Sequence, residues 1–147
     1  MPSSQKDSRI LAQLALLVLL PLGFLGAASA LAGRADPMGF WMTEDQSAMV
    51  DIVACGPMLC GTIAWSEKTV DAKGRPLCGR AILGEVMKTG PDSWGKSWIY
   101  APKTDEKYPV TFSLAPDGSL ARHVSAGLLG RNQTWTRPAN APAVCSP

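Results

Sequence analysis

The sequence predicts an all-β domain, an antiparallel up-and-down β-barrel of eight or nine strands, preceded by a signal-peptide helix. Beyond the apolar leader no long run keeps a 3.6-residue period, while short runs of β-branched and aromatic residues recur between Gly, Pro and Asp turns. The clearest run places Tyr108, Val110, Phe112 and Leu114 at alternate positions, the pattern of a half-buried strand.

The chain opens with Lys6 and Arg9 ahead of an apolar stretch, Ile10 to Leu25, interrupted only by Gln13 and Pro21. A basic start and an apolar middle followed by Ala28-Ser29-Ala30 and Ala30-Leu31-Ala32 form a secretion signal, with cleavage expected after Ala30 or Ala32. The rival reading is a tilted membrane anchor over residues 10–32, against which Pro21 and the Gly/Ala-rich tail argue. A lipid anchor would need a cysteine where Arg34 stands.

Removing residues 1–30 takes away Lys6, Arg9 and Asp7, leaving 12 basic and 11 acidic residues of the original 14 and 12. No basic stripe remains for nucleic acid, and the remaining chain of about 115 residues makes a single domain. The expected divisions are a signal peptide at 1–30, a barrel at 36–137 and a Pro/Ala-rich tail at 138–147. The location follows as periplasmic or secreted, the mature protein not spanning a membrane.

Strand by strand, Gly39 to Thr43 carries Trp41, and Ala48 to Ala54 sets Val50 and Ile52 against Met49, Asp51 and Val53. Cys60 to Trp65 returns after the turn Gly56-Pro57-Met58-Leu59. Ser66 to Arg80 reads as a long loop broken by Asp71-Ala72-Lys73-Gly74-Arg75-Pro76. Strands are then expected at Ala81 to Lys88, around Asp92 to Trp94, and at Ser97 to Tyr100, with Gly95-Lys96 as a turn. After the Tyr108 strand, Ala115-Pro116-Asp117-Gly118 has the residue types of a hairpin turn. Leu120, Arg122 and Val124 share a face of the next strand, and a last strand through Gln133 to Arg137 carries Trp135. Closing this meander into a barrel would remove its exposed edges.

The four cysteines all follow the leader, where thiols oxidise. Cys55 and Cys60 flank a turn and are expected to bridge it, which pairs Cys78 with Cys145 by elimination and tethers the tail. A zinc site using these cysteines and His123 lacks any Cys-x-x-Cys spacing. No metal or cofactor is therefore expected.

The motifs Asp36-Pro37-x-Gly39-x-Trp41, Cys55-Gly56-x-x-Leu59-Cys60-Gly61-x-Ile63-x-Trp65, Trp98-Ile99-Tyr100 and Gly130-Arg131-x-Gln133-Thr134-Trp135-Thr136-Arg137 resemble, in order, the bacterial family known as domain of unknown function 2147. The resemblance implies an exported barrel of lipocalin-like (calycin) or fatty-acid-binding-protein-like form, and no defined substrate. The chain departs from the family pattern at Ala101-Pro102, at Glu106-Lys107-Tyr108 and at Arg122-His123-Val124. By analogy with lipocalin-like barrels, the Arg137 guanidinium is expected to stack on the Trp41 indole at the closed end, in a structural role.

Catalytic residues are not evident. His123 is the single histidine, Ser125 is only two residues away, and no nucleophile elbow, phosphate loop or zinc-protease motif occurs. Of five tryptophans, Trp41, Trp65 and Trp135 read as core, while Trp94 and Trp98 are placed near a barrel mouth with Tyr100 as candidate ligand contacts. Strand parity turns Arg122 inward, where a bound carboxylate could pair with it. If the strand slips by one residue, Arg122 faces solvent instead. The function expected is non-enzymatic binding of a small apolar or lipid-like molecule. The alternative is an envelope interaction module with a side-chain-filled barrel, contacting protein through the loop Ser66 to Arg80.

Overall fold

A computed structural model describes residues 36–146, so the leader, its cleavage site and Pro147 lie outside the described residues. Eight antiparallel strands follow one another in space as they do in sequence. They are β1 (Gly39–Met42), β2 (Ala48–Cys55), β3 (Met58–Ser66), β4 (Ala81–Gly90), β5 (Ser93–Ala101), β6 (Glu106–Leu114), β7 (Leu120–Ala126) and β8 (Leu129–Trp135). Tight turns joining neighbours make this order the direct outcome of the turn residues. At Ala115–Ser119, Gly118 accepts a φ of 81° and Asp117 Oδ1 receives the Ser119 amide at 2.9 Å.

The sheet curls until its ends meet, but among the described residues their backbones pair at one place. Met42 and Thr136 exchange both backbone hydrogen bonds, at 2.8 and 3.1 Å. Beyond that pair the chain leaves β1 in a turn fixed by Thr43, Asp45 and Ser47, with the Thr43 hydroxyl donating to Asp45 Oδ1 and the Ser47 hydroxyl donating to the same oxygen. The barrel is therefore split along most of β8, where the sequence led us to expect full closure.

Inward side chains fill the closed end: Trp41, Val50, Leu83, Trp94, Phe112, Leu120 and Trp135 are all buried. Each contributes roughly 1.5–3 kcal/mol by leaving water. The Phe112 and Trp135 rings sit 5.8 Å apart, tilted. Trp65 is half-buried.

Three strand readings change. β3 carries an extra residue, Ala64, opposite the Met49–Val50 step, and at this irregularity both Met49 and Val50 are buried, so Met49 is not on the outer face. The Gly95-Lys96 turn is instead a bulge inside one continuous β5, made possible by the positive φ of 52° at Lys96. The last strand starts earlier, at Leu129, and ends at Trp135.

The disulfides are Cys55–Cys60 and Cys78–Cys145, with Cα separations of 5.8 and 5.9 Å. The second pins the tail to the loop before β4, and the Cys145 amide donates to the Ala64 carbonyl at 2.8 Å. No cysteine is left as a thiol.

Candidate functional site

The β1–β2 turn, the loop from Glu67 to Arg80, the β5–β6 turn and the β7–β8 hairpin all lie at one end of the barrel, and between them opens a cavity of about 890 Å³. That volume is in the range of small-molecule sites. Its apolar wall comes from Ile63, Leu77, Ile82, Ile99, Val124 and Trp135. The polar groups that reach it include Arg122, Arg131, Gln133 and Tyr100.

Arg122 points inward. It pairs with Phe112 on one side and Gln133 on the other, and its guanidinium carbon lies 4.9 Å from the Trp135 ring centroid. Its Nε is buried and has no hydrogen-bond partner among the described residues, and the same holds for Trp135 Nε1. Burial, and then the neighbouring Arg131, lower the Arg122 pKa to about 10, well below the ordinary guanidinium range, against a weaker pull from Asp45 and Glu44. A half-buried cation whose buried Nε donor is idle among the described residues, beside an apolar cavity, offers a place for an anionic or strongly accepting group.

Tyr100 also borders the cavity, but its hydroxyl is engaged. It reaches Asp71 Oδ2 at 2.8 Å and Asp105 Oδ1 at 2.9 Å, and it accepts from Arg75 Nη2 at 3.0 Å. Asp71 is the hub of this network: it takes Arg75 Nε at 2.7 Å and the amides of Lys73 and Arg75 at 2.9 Å. Those bonds, led by Arg75, hold its carboxyl well below the usual carboxylate range although burial opposes them. Arg75 and Lys73 also pair with Asp105. The loop that reads as irregular in sequence is thus fastened across the barrel end, with Leu77 buried beneath it.

The two other tryptophans nominated as ligand contacts lie away from this cavity. Trp94 is buried in the closed end, with Lys88 Nζ 5.6 Å from its ring. Trp98 is half-buried between Gly84, whose missing side chain makes room for the indole, and Lys107, whose Nζ is 3.6 Å from the ring centroid. A shallower depression of about 500 Å³ includes Trp94 with Thr89, Thr111, His123 and Asn132. His123 is exposed there, its Nδ1 2.6 Å from Asn132 Oδ1, and no hydrogen bond joins it to Ser125 among the described residues.

Arg137 lies over Trp41 with its guanidinium carbon 3.8 Å from the ring centroid. It donates to the carbonyls of Met38 and Asp36 at 2.7 Å, while Trp41 Nε1 donates to Pro37 O at 2.7 Å. This cluster fastens the start of β1 to the end of β8.

Arg131, Gln133 and Asp71 had not been singled out from the sequence. The two on β8 share the strand parity of Trp135 and face the Arg122 strand, a signal the alternation itself carries. The burial of Asp71 has no periodic signature.

A family model described as "Uncharacterized protein conserved in bacteria (DUF2147)" matches residues 39–137. Among solved structures the chain is similar to one described as "Protein HP1028 from the human pathogen Helicobacter pylori belongs to the lipocalin family". The TM-score is 0.58 at 17% identity, over 71% of this chain and 84% of the other, a likeness of fold. No curated protein matches the chain.

Proposed function

The chain belongs to the bacterial DUF2147 family, and on that premise we propose that it is a non-enzymatic binder of a small apolar or lipid-like molecule in the cell envelope. The observation that carries this reading is Arg122, a half-buried side chain whose buried Nε has no partner among the described residues, at the wall of an apolar cavity. A carboxylate or similar head group would meet Arg122, and the hydrocarbon part would lie against Ile63, Ile82 and Ile99. Each methylene withdrawn from water there adds about 0.8 kcal/mol to binding. The basic, apolar leader and two disulfides favour an oxidising compartment, periplasmic or external.

Organic extraction of the purified protein followed by mass spectrometry, with fatty-acid titration of tryptophan fluorescence, tests the reading. Trp135 stacks on Arg122 and serves as reporter. A copurified lipid or saturable quenching is expected, and neither appearing would end the proposal. A hydrolase would instead show turnover that vanishes in His123→Ala, and none is expected.

A further inference from the structure

The free edge of β8 has a defined hydrogen-bonding pattern. In an antiparallel ladder a residue directs its N–H and C=O to the same side, and the side alternates along the strand. Thr136 uses both groups toward Met42. Thr134, Asn132 and Gly130 have the same parity, so theirs point to that side too, where the chain has turned away at Thr43 and no strand follows. All three are exposed. From Leu129 to Thr134 the open edge is about 20 Å long.

Natural edges are blunted by proline, bulges or charge. This one has no proline, its register with β7 runs unbroken, and Arg131 is its single charged residue. Arg131 is exposed at the cavity and joins no ion pair among the described residues. Two occupants fit poorly. Antiparallel self-pairing about Asn132 would bring two Arg131 side chains onto one face of adjoining strands, beside Arg122. Asp36 to Met38, just before β1, are held at Arg137, beyond the Thr136 end of the open stretch.

We propose that the edge from Gly130 to Thr134 docks an extended acidic segment of another protein, which adds as a ninth strand. The backbones of Gly130, Asn132 and Thr134 supply the pairing, and an inward carboxylate of the guest meets Arg131. This is strand addition, in which main-chain bonds give affinity and alternate side chains give selectivity. The main-chain pairing lies on the outer side of β8 and does not use Arg122, although Arg131 also borders the lumen cavity.

Fluorescein-labelled peptides alternating Glu with Val, or Lys with Val, are titrated into the protein by anisotropy, with amide exchange read at Gly130, Asn132 and Thr134. The Glu peptide is expected to saturate and to slow exchange at those three amides, the Lys peptide to bind at least tenfold more weakly, and Arg131→Glu to reverse the order. Asn132→Pro removes an outward N–H without touching the β7 ladder and is expected to abolish binding. No saturable binding, equal affinity of the two peptides, or wild-type binding by folded Asn132→Pro overturns the proposal. Should Asn132→Pro fail to fold, the charge preference of Arg131→Glu decides alone.

Discussion

Replacing Arg122 by Met separates a group held for a ligand from one that supports the fold. A fall in pKa from the ordinary guanidinium range to about 10 means that charging this side chain in the folded protein costs roughly 3 kcal/mol more than in water, at about 1.4 kcal/mol per tenfold change in acidity. Stacking on Trp135 returns about 0.5–2 kcal/mol of that. Met fills much of the same volume without charge, so ligand-free Arg122→Met is expected to gain about 1–2 kcal/mol. The melting temperature should rise by about 4–8 °C per kcal/mol. The sign with pH is fixed: the cation is disfavoured in the folded state, so the wild-type deficit is full below about pH 10 and fades as pH rises through that value. Urea denaturation of delipidated protein at neutral pH measures the gain, and fluorescence titration measures loss of binding to anionic ligands. A loss of more than about 1 kcal/mol in the ligand-free variant would refute the reasoning, since the guanidinium would then be supporting the barrel.

The Cys78–Cys145 bond spans 67 residues, and Cys145→Ser is expected to cost roughly 4 kcal/mol in denaturant unfolding and to expose residues 138–147 to protease. Gly84→Ala sets a Cβ against the Trp98 indole, which must shift; about 1–3 kcal/mol should be lost, together with the near-ultraviolet dichroism of that ring. Asp71 titrates lower folded than unfolded, so its carboxylate stabilises the protein fully above the usual carboxylate range, and that contribution is lost progressively as pH falls from about 5 toward the lowered folded value. Asp71→Asn should flatten the acid limb of the stability curve, measured by urea midpoints between pH 7 and pH 3.

Most strands were legible because one face of each is buried, and burial on one face writes itself as alternation, as in Tyr108, Val110, Phe112 and Leu114. Alternation hides bulges. Lys96 lies at an extra residue within β5, whereas Met49 lies opposite an extra residue of β3, Ala64, and only the paired strand reveals either. The start of β8 was missed because Leu129, Gly130 and Arg131 are exposed, and a strand with no buried face there has no apolar rhythm. Arg122 was legible as an inward cation from parity, whereas its empty Nε depends on what the facing strands bring. The Asp71 network joins a loop to Tyr100 and Asp105 across distant sequence, and no local pattern encodes such a meeting.

Every strand pairing joins sequence neighbours, and only the Met42–Thr136 pair closes the circle. Hairpins can therefore zip one after another over short chain distances, while the seam needs both ends of the domain present at once.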